Sequence, residues 1–214
     1  MYKKISLIIF SICFVILSIF VYRYVNNKVY KVDIPTYSQH EFGYPKGCEG
    51  VSLYMALKGK GYMSDYDLDS FMETMPIVSD NPNLGYVGNP RLDGKAKENL
   101  NKRTTIYPEP LAKWGSQFGK VVDMSGKSTD ELKKEILKGN PIIVYVTGGW
   151  KKPTWKQYSW GTSVTSNHAL CLVGYSSNGN YLVNDCGTSL GEYWVKKEKF
   201  ESIYNSRKFA VVVK

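Results

Sequence analysis

The 214-residue sequence is poor in the residues that build metal centres and disulfide scaffolds, since it contains only two histidines and four cysteines. Two histidines exclude a site built from several histidines, and any chemistry that needs an imidazole must use His40 or His168. Four cysteines in a chain of this length are too few for a disulfide-rich fold. We therefore expect no metal and no cofactor. The hydrophobic fraction of 43% excludes a disordered chain.

Acidic residues are absent from the first 31 positions, which contain five basic residues. More than half of the net charge of +9 therefore lies in this short segment. The rest of the chain is only mildly basic, which argues against a nucleic-acid partner.

The same segment contains an uncharged apolar run from Ile5 to Val21, and the first alanine of the chain is Ala56. A secretory cleavage site prefers small residues, so residues 1–31 are predicted to be an uncleaved transmembrane signal anchor with a short linker. Cys13 lies inside the run and is predicted to be a packed apolar residue. We expect a single-pass protein of the cell membrane, with residues 32–214 as one extracytoplasmic domain. A cleaved signal peptide and a cytoplasmic domain remain alternatives.

The order of predicted elements in residues 32–214 indicates an α+β fold, in which a helical part is followed by an antiparallel sheet. Apolar spacing and capping residues predict helices over residues 48–60, 66–75, 108–118 and 129–138. From Pro141 the pattern changes to strands, at 141–147, 168–175, 180–185, 192–195 and 208–213, with a short helix at 197–204. Residues 76–107 are rich in Asn, Gly and Pro and are predicted to form a long loop. The basic aromatic stretch around Trp150 and Trp160 is predicted to be a solvated loop over the cleft, with stacking on a sugar, a peptide or single-stranded nucleic acid as the alternative.

Cys48 stands at the predicted start of the first helix, where helix amides and the macrodipole favour a thiolate. A simple packed cysteine explains this residue equally well on its own. His168 begins the first strand of the predicted hairpin, and Asp185 ends the second. With a turn near residues 177–179, the two side chains are near neighbours across the strand pair.

A histidine beside a cysteine can take and return its proton, and an acid can orient the imidazole. Asn184 is the competing orienter, because a register slip of one residue reverses the face. Gln39 precedes Cys48 by nine residues, and its amide could join the Cys48 N–H in an oxyanion hole. His40 is a rival base.

At these residues the sequence resembles the papain-like cysteine peptidases, specifically the C-39-like branch related to the peptidases that cut double-glycine leaders from bacteriocin precursors. The resemblance covers nearly all of residues 33–214. The matching stretches are residues 34–39, 45–53, 81–88, 107–111, 141–147 and 167–175.

The resemblance implies a papain-like fold with Cys48 as nucleophile, His168 as general base and acid, Asp185 as orienter and Gln39 at the oxyanion hole. The family commonly has proline after the aspartate, where this chain has Cys186. Segments of an ABC transporter are absent from the sequence, so the resemblance does not imply that this protein processes leader peptides.

The expected function is hydrolysis of peptide or amide bonds in a peptide or protein substrate, with cell-envelope peptides as one option, by a monomer. The alternatives are a transpeptidase or amidase acting on cell-wall peptides, and a catalytically silent binding module tethered to the membrane. Cys171 and Cys186 lie nearly opposite in the predicted hairpin, and they are expected either to pack as thiols or to form a disulfide.

Overall fold

The computed structural model describes residues 10–21 and 28–214. Residues 10–21 are helical (α1), and their apolar side chains are exposed, Phe10, Phe14 and Phe20 most of all. In these described ranges, no helix combines the length and the apolar character that crossing a membrane requires. The other parts of the predicted anchor segment, residues 1–9 and 22–27, lie outside the described residues.

The helices of the range 28–214 are α2 (Cys48–Gly59), α3 (Leu68–Glu73), α4 (Pro108–Gly115), α5 (Thr129–Leu137) and α6 (Lys197–Tyr204). The strands are β1 (Val29–Lys31), β2 (Ile77–Val78), β3 (Tyr86–Val87), β4 (Val121–Asp123), β5 (Ile142–Thr147), β6 (Trp155–Tyr158), β7 (Gly161–Val164), β8 (Asn167–Ser176), β9 (Tyr181–Asn184), β10 (Glu192–Val195) and β11 (Ala210–Val213). A single 3-10 turn in this part of the chain covers Gly148–Trp150.

The central sheet is antiparallel and runs in the order β10-β9-β8-β5-β11-β4, with β1 added beside β8. Strand β8 is the longest, and it pairs with β9 on one side and with β5 followed by β1 on the other. Two small sheets lie outside it, a parallel β2–β3 pair and an antiparallel β6–β7 hairpin.

Both faces of the central sheet are covered by helices. Ile143 and Tyr145 of β5 pack into one core with residues of α2, α3 and α4. Ile142 and Val144 of the same strand pack into the second core with residues of α5 and α6. A strand buried on both faces has no polar side, which explains the uninterrupted apolar run of β5.

Most predicted elements are confirmed within one to three residues at their ends. The main correction concerns the basic aromatic stretch, since residues 155–164 form the β6–β7 hairpin. Its β6 side chains are largely exposed, so the sequence shows no apolar alternation there. The order of elements is also more mixed than predicted, because β4 lies between α4 and α5.

Helices α5 and α2 begin in different ways. Helix α5 begins with a capping box in which Ser128 and Glu131 satisfy each other's backbone amides. Helix α2 begins after Gly47, which provides no side-chain cap. The amide groups of its first turn have no partner inside the helix, and they are therefore available to a ligand.

Candidate active site

A cavity of about 520 Å³ lies where the start of α2 meets β8 and the segment after β9. All four residues that the sequence analysis placed in a catalytic site line this cavity: Gln39, Cys48, His168 and Asp185. His40 also lines it, with an exposed side chain. The fold therefore collects residues from four separate parts of the sequence around one space.

Contacts between α2 and β8 set the position of Cys48. The Ser52 hydroxyl donates to the carbonyl of Ala169 at 3.3 Å, and the Cys171 thiol donates to the carbonyl of Ser52 at 3.1 Å. These bonds fix the first turns of α2 against the strand that contains His168. Cys48 is the first residue of the helix, and its side chain is 8% exposed.

The surroundings of Cys48 disfavour a resting thiolate. Burial raises the pKa of the Cys48 thiol well above its ordinary value, and the negative charge of the adjacent Glu49 raises it further. The start of a helix on its own is expected to favour the thiolate. Burial and the neighbouring carboxylate act against that expectation.

His168 and Asp185 form a close pair, with His168 Nε2 2.7 Å from Asp185 Oδ1. The β8–β9 register pairs Cys171 with Asn184, close to the predicted alignment, with a bulge between Leu172 and Gly174. Asn184 is not the partner of the histidine, because its side-chain amide is hydrogen-bonded to the hydroxyl of Thr36. Of the two competing orienters, the fold therefore brings Asp185 to the imidazole.

Three groups donate hydrogen bonds to the Asp185 carboxylate. His168 and the Gly187 N–H, at 2.8 Å, donate to Oδ1, and the Tyr193 hydroxyl donates to Oδ2, also at 2.8 Å. Burial alone raises the pKa of Asp185, but these donors and the histidine outweigh it and hold the pKa below its ordinary value. Asp185 is therefore ionised at neutral pH.

The Asp185 carboxylate defines the tautomer of His168. A carboxylate only accepts hydrogen bonds, so Nε2 of the neutral imidazole holds the proton and Nδ1 has the free electron pair. Gly187 packs against the ring, since a Cβ at this position would lie 2.7 Å from His168 Cε1. The glycine thus permits the close approach of the chain that follows β9.

Gln39 is 5% exposed and is fixed at both ends of its amide. Its Nε2 donates to the carbonyl of Pro45 at 3.0 Å, and its Oε1 accepts from the Cys186 thiol at 3.4 Å. The Gln39 N–H also donates to the carbonyl of Cys186 at 2.8 Å. An amide nitrogen has two hydrogens, so one remains for a ligand in the cavity.

Cys171 and Cys186 are free, buried thiols. The residue opposite Cys171 is Asn184, and Cys186 lies beyond the end of the paired strands. Burial raises the pKa of Cys186 to about 12, which makes this thiol unreactive at neutral pH. Over residues 10–21 and 28–214, no cluster of three or more His, Cys, Asp or Glu side chains is placed to hold a metal ion.

Three polar side chains in and around the cavity were not predicted from the sequence. Glu49 is only 1% exposed, and its carboxylate accepts a bond from the Cys48 thiol at 3.2 Å. Arg103 lines the same cavity, and its Nη2 is buried with no hydrogen-bond partner among the described residues. Tyr193 bonds to Asp185 from β10. A charged residue inside the apolar pattern of α2 was the one available signal for Glu49.

Comparisons with known proteins show the family and the fold. The family model of the Peptidase_C39 like family matches residues 31–212. The uncharacterized protein YvpB of Bacillus subtilis strain 168 is 29% identical over 154 residues, which are 66% of this chain and 58% of that protein. The chain thus spans less than two thirds of the length of this curated relative.

A solved structure shares the fold. A Bacillus anthracis protein, whose crystal structure is described as that of a C39-like peptidase, superposes with a TM-score of 0.70 and 24% sequence identity. The match covers 86% of this chain and 97% of the other. Since the family model covers almost all of the chain from β1 to β11, the protein belongs to the Peptidase_C39 like family.

Proposed function

We propose that this protein is a membrane-anchored extracytoplasmic peptidase that hydrolyses peptide or amide bonds with Cys48, His168, Asp185 and Gln39. The observation that carries the proposal is the 2.7 Å pair of His168 and Asp185 in the cavity that Cys48 lines. A cysteine nucleophile needs a base for its proton, and the base needs a group that fixes its tautomer.

The acylation step begins with proton transfer from Cys48 Sγ to Nδ1 of His168. The sulfur then attacks the substrate carbonyl carbon, and the carbonyl oxygen becomes an oxyanion. The Cys48 N–H and the second hydrogen of Gln39 Nε2 donate to this oxygen. The C–N bond breaks as the imidazolium returns its proton to the leaving amine, which leaves a thioester on Cys48.

Hydrolysis of the thioester uses the same groups. Nδ1 of His168 takes a proton from water, and the resulting hydroxide attacks the thioester carbonyl. The C–S bond breaks, the acid product leaves, and the proton returns to sulfur. The ionised Asp185 compensates the positive charge of the imidazolium in both halves of the reaction.

The membrane part of the proposal rests on the amino-terminal segment. The apolar run of residues 5–21 is flanked by basic residues, and the described residues 10–21 are helical with exposed apolar side chains. We propose that this segment anchors the chain and that residues 32–214 act outside the cytoplasm. Resistance to carbonate extraction, together with digestion of the domain by external protease in intact cells, tests it. Release by carbonate or protection from the protease would contradict it.

The catalytic part is tested with the full chain purified in detergent. A quenched fluorescent peptide library measures cleavage, and intact-mass spectrometry with iodoacetamide measures labelling. We expect Cys48→Ser and His168→Ala to lose cleavage, whereas Cys13→Ser, outside the cavity, retains it. Cleavage that survives in Cys48→Ser would overturn the proposal. Added amine nucleophiles separate hydrolysis from acyl transfer, since a transpeptidase gives amide products.

A further inference from the structure

Glu49 makes a contact with Cys48 that the peptidase mechanism does not use. The Cys48 thiol donates to Glu49 Oε2 at 3.2 Å, and Glu49 is 1% exposed. Neighbouring residues of a helix do not normally face each other. The Glu49 side chain therefore bends back toward the cavity instead of pointing away from it.

The other oxygen of Glu49 is occupied by donors. Asn167 Nδ2 donates to Glu49 Oε1 at 2.9 Å, and the Thr105 hydroxyl donates to the same atom. Asn167 itself accepts a bond from Arg207 Nη1 at 2.6 Å, which fixes the orientation of its amide. An amide nitrogen only donates, so Oε1 is an acceptor. Hydrogen-bond donors therefore face both carboxylate oxygens of Glu49.

Glu49 is an acidic group on the same helix as the thiol, and other charged or titratable groups around Cys48 come from several elements. They are Tyr86 of β3, Arg103 before α4, Tyr145 of β5, His168 of β8, and Asp185 and Cys186 after β9. Of these, His168 can take the thiol proton, whereas the thiol donates its hydrogen bond to Glu49.

We propose that Glu49 holds the proton on Cys48 in the resting enzyme, so that the thiolate forms only when His168 takes that proton during attack on a substrate. This inference rests on the proposed function, since it takes Cys48 as the nucleophile. The carboxylate accepts the S–H hydrogen bond and opposes a second negative charge beside it. The proton stays on sulfur at rest and moves to Nδ1 of His168 in catalysis, and Glu49 forms no covalent bond. The resting protein is thereby protected from oxidants and electrophiles.

The raised pKa of the thiol agrees with this geometry, since the charge of Glu49 acts in the same direction as burial. Glu49→Gln separates the effect of the Glu49 charge from the effect of burial. Gln retains an Oε1 that accepts from Asn167 and Thr105, but it places an N–H donor beside Cys48 Sγ. The substitution therefore keeps the hydrogen bonds from Asn167 and Thr105, and it replaces the acceptor beside Cys48 Sγ with a donor.

The experiment measures the rate of Cys48 alkylation by iodoacetamide from pH 5 to pH 11, by mass spectrometry, in the full chain with Cys13→Ser. We expect Glu49→Gln to lower the apparent thiol pKa by about one unit or more, so that alkylation at pH 7 rises about tenfold. The matched control is Glu135→Gln, because Glu135 is a buried carboxyl bonded to Lys138 and Asn140 outside the cavity. The alkylation profile of Glu135→Gln should follow that of the parent protein.

Two results would overturn the inference. A Glu49→Gln profile within a factor of two of the parent would mean that Glu49 does not hold the proton, and slower alkylation at every pH would mean that Glu49 promotes ionisation. If circular dichroism shows that Glu49→Gln is unfolded, Glu49→Asp replaces it, because the shorter side chain withdraws the carboxylate from the sulfur. Glu49→Asp must then lower the pKa of the Cys48 thiol. An unchanged thiol pKa in this variant overturns the inference. No substrate is used, so failure here is distinct from absence of peptide cleavage.

Discussion

His168 and Asp185 are 17 positions apart in the sequence, yet the β8–β9 hairpin brings Nε2 and Oδ1 to 2.7 Å. The pair has two effects, because the carboxylate fixes the tautomer and also compensates the imidazolium charge. Asn at position 185 preserves the acceptor oxygen but loses the charge, whereas Ala loses both.

For the Asp185 variants we expect a graded loss of activity. Asp185→Asn should lower kcat/KM by about tenfold, or about 1.4 kcal/mol of transition-state stabilisation, and Asp185→Ala by about a hundredfold or more. Steady-state cleavage of a fluorogenic peptide measures both values, with Asp80→Asn as the control at an exposed carboxyl. Equal losses in Asn and Ala would show that only the charge matters, and full activity in both would contradict the role of Asp185.

Tyr193 supports the same carboxylate from β10, where its hydroxyl donates to Asp185 Oδ2 and accepts from Trp150 Nε1 at 3.0 Å. Tyr193→Phe removes both bonds without opening a large cavity, and its cost in stability should be about 2–4 kcal/mol, since one of the bonds is to a carboxylate. We expect kcat to fall two- to tenfold at constant KM. The control is Tyr204→Phe, whose hydroxyl donates to the Lys127 carbonyl elsewhere. An equal fall of kcat in Tyr204→Phe would show that the loss in Tyr193→Phe comes from impaired folding.

Gln39 is expected to act on the transition state only. Removing one oxyanion donor costs about a hundred- to a thousandfold in kcat in other enzymes. We expect Gln39→Ala to lower kcat over that range with little change in KM, while alkylation of Cys48 continues. Gln157→Ala, on the exposed β6 strand, is the control. A rise in KM at unchanged kcat would instead indicate a substrate-binding role.

The sequence was sufficient for the helix that begins at Cys48 and for the hairpin that pairs His168 with Asp185, since apolar periodicity and a turn signal report local geometry. It could not choose between Asp185 and Asn184, because the decision depends on the bulge after Leu172 and on Thr36 bonding to Asn184. The β6–β7 hairpin was missed because the exposed side chains of β6 give no apolar pattern.

The hydrogen-bond network around Glu49 also depends on the tertiary structure. The sequence shows an acidic residue after the cysteine, but Asn167 and Thr105, which hold its carboxylate, are 118 and 56 positions away. Contacts over such distances leave no local pattern. These contacts hold the Glu49 carboxylate beside Cys48. Together with burial, the carboxylate disfavours the thiolate that was expected at the start of α2.

Gly187 is predicted to tolerate no side chain. A Cβ at this position would lie 2.7 Å from His168 Cε1, which is too short for unbonded atoms, and 3.1 Å from Nε2, which is a tight contact. Gly187→Ala should displace the imidazole from Asp185 and lower kcat/KM by about tenfold or more. The control is Gly94→Ala, whose nearest neighbour is the flexible end of Lys46. NMR of the imidazole protons would show the displacement directly, and an unchanged spectrum with full activity would contradict it.

Asp185 should also make stability depend on acid pH. Its pKa in the folded protein lies below the ordinary value of 3.8, so its ionised form contributes stability above that value, and this contribution is lost as the pH falls through the folded pKa. We expect the urea midpoint of the parent protein to decrease more steeply below pH 4 than that of Asp185→Asn, which has no carboxyl to protonate. Asp80→Asn should follow the parent curve. If Asp185→Asn decreases as steeply as the parent, other carboxyls account for the acid sensitivity, and the His168–Asp185 pair contributes little to folding.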